Sequence, residues 1–261
     1  MAGATGALGR ALVLRLVADR HAVRALAPDA ADAFAWLGVE SLDADLVVDD
    51  LRDVVRGCDA VVHAATDVPV DGTRRLVSAA IAGGVTRYVQ QSFVTAYRDG
   101  GDRWLDEDAP LDDSPRRSPV CRSVVETEAS IRRVDPRALA WTILRGGSFV
   151  GSGTRQDLLI ERLRIHGAVV AGDGSNYLST LNVRDMAAAV AVALEHAPAG
   201  STFNVVDEPL RYSDYVDALA DLIGVARPPR VAREPLPRSR RCTNAAARTV
   251  LGWMPRHPIW P

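Results

Sequence analysis

Near the start of the chain, Gly3-Ala4-Thr5-Gly6-Ala7-Leu8-Gly9 sets three glycines at a regular spacing. The leucine- and valine-rich run Arg10–Val17 follows at once, a tight turn opening a helix. Such a turn lets backbone N–H groups approach a pyrophosphate at the positive end of the helix. The glycines serve the turn, the close approach to phosphate and the packing of helix on sheet. On this reading Gly3, Thr5, Gly6, Ala7, Leu8, Gly9 and Arg10 contact a dinucleotide. The bland alternative is an ordinary strand-to-helix turn.

What the chain lacks is equally informative. All 31 of its basic residues are arginines, so no lysine is available as a proton relay or Schiff-base amine. Arginine stays charged and cannot stand in for one. The cysteines, Cys58, Cys121 and Cys242, are far apart, odd in number and without metal-site spacing, which suggests reduced thiols in a cytoplasm and no metal centre. Ser92, at the end of a predicted strand, brings a hydroxyl to where a nicotinamide would lie; its other reading is a strand-end residue bonding backbone. His63 lies in an apolar run and reads as a packed core residue, whereas His166, His196 and His257 read as surface residues. Asp106-Glu107-Asp108 reads as solvated. Arg238, Arg240 and Arg241 read as an exposed basic stretch, with a grip on a phosphate-bearing substrate as the alternative.

The elements that must hold these residues alternate between strand and helix. Strands are expected at Ala22–Ala27, Val39–Leu42, Asp59–Ala65, Arg87–Ser92 and Ala140–Leu144. Helices are expected at Val47–Arg56, Gly72–Ala82 (with Asp71 as N-cap and Gly83-Gly84 as stop) and Val120–Arg133. Later come a helix at Asp157–Ile165, a strand at Ser179–Val183 leading into another helix, and a strand at Thr202–Val206. Ser213 and Thr243 are the expected caps of the last two helices. This order predicts an α/β fold, a doubly wound parallel sheet with a smaller C-terminal substrate lobe. The dinucleotide-binding part is assigned to 1–145 and 179–197, and the lobe to 146–178 and 198–261. The long acidic segment from Phe93 to Pro119 reads as a functional loop. Hydrophobic content of 48%, charged content of 25% and a net charge of -2 fit a soluble globular protein with neither nucleic acid nor membrane as partner. A cytoplasmic location is expected.

In sequence order these landmarks resemble the NAD(P)-dependent epimerase/dehydratase group, the extended and atypical short-chain dehydrogenase/reductases. GATGALGR resembles the cofactor loop, and Asp45-Leu46 the Asp-Leu dipeptide that holds the adenine in such proteins. GCDAVVHAA (57–65), VDGTRRLVSAA (70–80), ILRGGSFVGSGT (143–154), NVRDMAAAV (182–190), FNVVDEP (203–209) and LGWMPRHP are similar to its later landmarks. The resemblance implies cofactor contacts at Ala64, Ala65, Ser92, Gly146 and Phe149 as well. It also exposes a departure. The group's Tyr-x-x-x-Lys pair, in which the lysine lowers the tyrosine's pKa, is missing. Depending on whether Glu126 or Glu128 matches the group's helix glutamate, the tyrosine position holds Ser118 or Val120 and the lysine position Arg122 or Val124. The assisting Ser/Thr falls at Ser92 or Phe93. Tyr97 is the tyrosine nearest the site, at a position the group uses structurally. Ser92 and Tyr97 are therefore the candidate catalytic residues.

Cofactor choice turns on the end of the second strand, where Ala27 and Pro28 supply neither a ribose-binding acid nor an arginine. With Arg10 beside the phosphate turn this favours NADPH over NADH, although Asp29 is close. The expected activity is reduction of a ketone on an aromatic polyketide, such as an angucyclinone, with the proton drawn from a phenol of the substrate itself. Atypical reductases of this resemblance occur in antibiotic-tailoring pathways of actinobacteria. The competing expectations are a non-catalytic dinucleotide-binding regulator and a nucleotide-sugar epimerase or dehydratase.

Only Met1 and Ala2 precede the glycine turn, where the fingerprint calls for a buried strand of about five or six residues. The expectation is a first strand cut short, with methionine written over a residue inside it. Adding about ten upstream residues is then expected to raise the melting temperature and its response to NADPH. Equal melts for both lengths of chain would refute it.

Overall fold

The computed structural model describes residues 1–27, 33–65, 68–114, 118–232 and 236–261. Helix α1 (Ala7–Ala18) leads to β1 (Arg24–Leu26), β2 (Glu40–Leu42), α2 (Arg52–Val55), β3 (Ala60–His63), α3 (Val70–Ala82) and β4 (Arg87–Phe93). Next come β5 (Trp104–Leu105), α4 (Pro119–Ile131), β6 (Ala140–Gly146), β7 (Ser148–Val150), α5 (Arg155–Arg164), β8 (Val170–Ala171), β9 (Tyr177–Leu178) and β10 (Thr180–Asn182). The chain continues through α6 (Val183–His196), β11 (Ser201–Val205), β12 (Leu210–Arg211), α7 (Tyr212–Leu222), β13 (Arg230–Val231), β14 (Arg241–Cys242) and α8 (Ala245–Val250).

The main sheet is parallel. Its larger part runs β11-β6-β4-β3, and β1 pairs with β2 beyond. Ala2 joins the two parts by bridging both Leu26 and His63. Its N–H donates to Val62 O at 2.8 Å and its carbonyl accepts from Ala64 N at 2.9 Å, while Met1 O accepts from Leu26 N at 2.8 Å. The central ladder position is thus held by Met1 and Ala2.

Apolar residues on both faces of the strands, as in Val61-Val62 and Ile143-Leu144, require cover on both sides. On one face α1 and α6 bury Leu8, Leu12, Leu16, Met186 and Val190. The small Ala187 and Ala191 of α6 are buried in the same layer. On the other face Leu76 and Ala80 of α3 and Ile131 of α4 pack against Val61, Tyr88 and Ile143. Ser118 caps α4 by accepting from Cys121 N at 3.2 Å, with Pro119 in its first turn, which is tolerated there because no N–H partner is lost. Asn182 caps α6 in the same way through Arg184 N.

Outside the main sheet the strands form short pairs, β7 with β10, β8 with β13, β9 with β12, and β5 with β14, so that β5 and β10 of the expected dinucleotide-binding part pair with strands of the expected lobe. Leu163, Val170, Tyr215, Val216 and Leu219 form its core. Two expected boundaries shift. β11 is the edge strand of the main sheet, paired with β6, so 201–205 belong to the sheet and not to the lobe. The segment after Phe93 is no open loop, because Trp104–Leu105 pairs with Arg241–Cys242.

Local corrections have simple causes. Helix α2 is only Arg52–Val55, because Asp45 and Asp50 accept from the N–H groups of Val47 and Arg52 and hold the preceding segment in turns. Pro69, not Asp71, caps α3, and Asp71 pairs with Arg74 in the first turn. Helix α7 begins at Tyr212, one residue before Ser213, with Arg211 as its N-cap. Asn244 is the N-cap of α8, although Thr243 Oγ1 still accepts from Ala245 N at 3.2 Å.

Candidate active site

The glycine turn is shaped by close contacts. Gly3 has φ +81°, and a Cβ there would stand 2.4 Å from Ala65 N. A Cβ on Gly9 would stand 2.1 Å from Gly3 O, so helix and turn touch backbone to backbone. Gly6 is different: it is the N-cap of α1 and exposed, and a Cβ there would meet only Gly3 O at 3.6 Å. That open side faces the first N–H groups of a 12-residue helix with no acidic residue in its first turn. Ala7, Leu8 and Gly9 therefore present donors and a positive dipole end to an anion. Leu8 buries its side chain in the core, and Arg10 folds back to donate from Nε to Thr5 O at 2.9 Å. Ala64 and Ala65 lie beneath Gly3. This cradle fits the pyrophosphate of a dinucleotide. Farther along the strand ends, Leu46 is buried, while the exposed Asp45 accepts from Val47 N at 2.6 Å. Ala27 is buried at the end of β1; Pro28 and Asp29 lie outside the described residues.

At the end of β4 lies a buried polar network. Arg145, in β6, grips the Glu128 carboxylate of α4 through Nε at 3.0 Å and Nη2 at 2.7 Å. Ser92 Oγ donates to the same carboxylate at 2.5 Å. Arg145 Nη1 also donates to Tyr97 Oη at 2.7 Å and to Glu107 O at 2.9 Å. Tyr97 Oη in turn donates to Asn204 Oδ1 at 2.7 Å. Ser92, Glu128, Arg145, Asn204 and Tyr97 are all buried. Burial raises the Tyr97 pKa well above its ordinary value, and the Arg145 charge offsets this only in part. Burial also works against the Arg145 charge, but the hydrogen bonds and charge of Glu128 outweigh it and raise its pKa.

Both proposed proton donors are therefore corrected. Tyr97 is fully enclosed with its proton committed to Asn204, and Ser92 spends its proton on Glu128. They are parts of the scaffold.

The buried glutamate also chooses between the two registers of α4. Glu128, not Glu126, makes the inward contact, which puts Val120 at the tyrosine position and Val124 at the lysine position. Val120 is exposed, and Val124 lines a cleft with Phe93, Ala65 and His63. The Phe93 ring tilts against Phe149 at 5.8 Å, and a Cβ on Gly146 would sit 2.9 Å from the Phe149 ring. The structure thus gathers Phe93, Phe149, Gly146 and Val124 at the strand ends as an apolar wall. His63, expected in the core, is indeed 1% exposed, and it also reaches this cleft. Burial pushes its imidazole down to about 4, opposed in part by a hydrogen bond with Gln90.

Other expectations change as well. Glu107 is half-buried and accepts from Asn204 N at 2.7 Å, and burial raises its pKa. His257 Nδ1 lies 2.7 Å from the buried Asp185 carboxylate, so it ties the chain end to α6 and is not a free surface residue. The late arginines are no exposed stretch: Arg238 pairs with Asp112, Arg240 donates to Thr95 O at 3.1 Å, and Arg241 stacks over Trp104 at 4.2 Å. Sequence reasoning missed Arg145. Its signal was an arginine directly after the mostly apolar run Ala140–Leu144.

Residues 3–197 match the family model described as NAD(P)H-binding. The chain belongs to that NAD(P)H-binding family. A 3-diazoavenalumate denitrifying reductase from Streptomyces sp is 32% identical, across 100% of this chain and 96% of that protein. Among solved structures, MoeE5 in complex with UDP-glucuronic acid and NAD is 24% identical with a TM-score of 0.81, covering 98% of this chain and 93% of that one. The dTDP-glucose 4,6-dehydratase DesIV from Streptomyces venezuelae, with NAD bound, is 21% identical with a TM-score of 0.84, covering 98% and 91%. These neighbours share this chain's fold, and the chain has no lysine with which to form a Tyr-x-x-x-Lys pair. It is an oxidoreductase-type chain that takes a nicotinamide cofactor and a small-molecule substrate. Among the described residues no helix is long and apolar enough to cross a membrane, and no group of His, Cys, Asp or Glu is arranged to hold a metal.

Removing one partner of the buried ion pair should be severe. Arg145→Met is expected to cost about 3–5 kcal/mol in urea unfolding, and adding Glu128→Leu should return part of that loss. A second expectation concerns acid. His63 is neutral when folded, with a pKa of about 4, against about 6.5 unfolded. Between those values the unfolded state binds the extra proton, so stability falls as pH drops from about 6.5 towards 4, by up to about 3 kcal/mol. His63→Gln should flatten that part of the pH–stability curve.

Proposed function

We propose that the chain is an NAD(P)H-dependent reductase acting on an aromatic secondary metabolite, in a reaction that takes no proton from the protein. The observation that carries this is the valine pair: Val120 and Val124 stand where a reductase of this fold would place its acid and that acid's lysine. The lobe is taken to cover the substrate at the strand ends, where ligands of open α/β sheets bind. The glycine turn, Ala64, Ala65, Gly146 and Phe149 would hold the cofactor, with Asp45 and Leu46 near the adenine. Arg10 and the missing acid at Ala27 favour NADPH. When bound, the cofactor supplies a hydride, and the chain's task is to orient the substrate against it and exclude water.

The reading favoured by the full-length relative is reductive loss of a diazo group. An arene diazonium is a strong electrophile with dinitrogen as leaving group. A hydride on its terminal nitrogen gives an aryl diazene, which loses N2 and leaves a C–H bond. The balance is ArN2⁺ + NAD(P)H → ArH + N2 + NAD(P)⁺, with no external proton. An apolar wall at Phe93, Phe149 and Val124 suits a reaction in which no oxyanion develops.

A second reading keeps a ketone of an aromatic polyketide as substrate. The developing alkoxide would then take its proton from an adjacent phenol of the substrate, whose intrinsic pKa is about 10, like that of tyrosine. Sugar-nucleotide chemistry is disfavoured, because it calls for the tyrosine that Val120 replaces.

The purified protein, given NADPH or NADH and a hydroxycinnamate-type arene diazonium, should oxidise the cofactor and release N2 in equal amounts. An aryl ketone with a neighbouring phenol tests the second reading. In either case Tyr97→Phe should lower kcat by well under the ~10²–10⁴-fold expected for loss of a general acid. Cofactor binding with no oxidation across both substrate classes would instead point to a non-catalytic sensor.

A further inference from the structure

The cleft beside Phe93 contains a lone pair that the fold does not use. His63, at the end of β3, places Nδ1 2.9 Å from Gln90 Oε1. Gln90 Nε2 donates to Gln91 O at 2.8 Å, which makes Oε1 the acceptor end of that amide. Tyr88 Oη donates to the same Oε1 at 3.0 Å, and with its proton there its oxygen, 3.3 Å from Nδ1, is a second acceptor facing that nitrogen. An acceptor facing Nδ1 puts the imidazole proton on Nδ1 and leaves Nε2 as an acceptor. That Nε2 is buried and has no hydrogen-bond partner among the described residues. An unmet buried acceptor is costly enough that native structures rarely keep one.

The surroundings narrow what can satisfy it. Thr73 of α3 and Ser123, Val124 and Thr127 of α4 share the cleft wall with His63, and the cleft has a free volume of about 20 Å³. That is room for roughly one oxygen atom. Among the described residues no wall residue other than His63 is ionisable, and burial holds the imidazole neutral at pH 7. A neutral O–H donor fits, with the Thr and Ser hydroxyls free to turn towards its oxygen.

We infer that His63 Nε2 accepts a hydrogen bond from a hydroxyl inserted into this cleft, contributed by the ribose of the bound dinucleotide or by the ring of an aromatic substrate. The ribose source rests on family membership alone, and the ring source rests on the reading proposed above. In either case His63 is a specificity-determining residue: a site built around a substrate hydroxyl discriminates strongly against the analogue without it.

The test uses the full chain labelled with 15N-histidine. In the free protein the His63 ring should show a protonated Nδ1 and an unprotonated Nε2. NADP⁺ is added first, and phenol is then titrated into the saturated complex, with anisole as control. An upfield movement of the Nε2 signal on adding NADP⁺ assigns the hydroxyl to ribose. A movement only on adding phenol, and not anisole, assigns it to the substrate ring. His63→Gln and His63→Leu should then weaken the responsible ligand by roughly 2- to 12-fold. A proton found on Nε2, or a signal that neither ligand moves, overturns the inference even if a variant fails to fold. The NADP⁺ arm needs no turnover, so failure of the proposed reaction and failure of this inference are separable.

Discussion

The ion pair between Glu128 and Arg145 is the contact on which the candidate site depends. It joins α4 to β6 in the interior, where one carboxylate takes both nitrogens of the guanidinium fork and the Ser92 hydroxyl. Through Tyr97, Asn204 and the Glu107 carbonyl it also fixes the segment that follows β4 and the end of β11. Desolvating two charges is expensive, so such a pair is weak evidence of added stability. What it supplies is position. The rotation of α4 about its axis is set by which residue meets Arg145, and this decides that Val124 faces the cleft.

The chemistry follows from that rotation. In the register fixed by Glu128 the expected tyrosine and lysine positions hold valines, of which Val124 lines the cleft and Val120 is exposed. The two hydroxyls expected to act as acids, Ser92 and Tyr97, are committed to the scaffold. The reaction proposed above accordingly relies on a substrate that is reactive in itself or carries its own acid.

Much of the fold was legible in the sequence because it rests on patterns of fixed period. Alternating apolar strands and helices pointed to a parallel α/β sheet, and the glycine spacing pointed to the turn. The valine pair was legible as one of two registers, but no local pattern could choose between Glu126 and Glu128, since that choice rests on a contact with Arg145 across 17 residues. The roles of Tyr97, Glu107, Arg241 and His257 were hidden for the same reason. Each is a polar residue in a polar-looking stretch, and its burial comes from partners distant in sequence. The lobe boundary was misplaced because β11 returns to the sheet as a strand too short to announce which neighbour it joins.

The backbone contact between Gly9 and Gly3 has a thermodynamic consequence for ligand capture. The turn is already clamped against α1 and against Ala65, so no loop must be ordered when a pyrophosphate arrives. The entropy that flexible phosphate-binding loops lose on binding has been lost here during folding, which leaves desolvation of the phosphates as the main cost of capture. Cofactor exchange on such a rigid cradle is governed by how tightly the two ends of the dinucleotide are held.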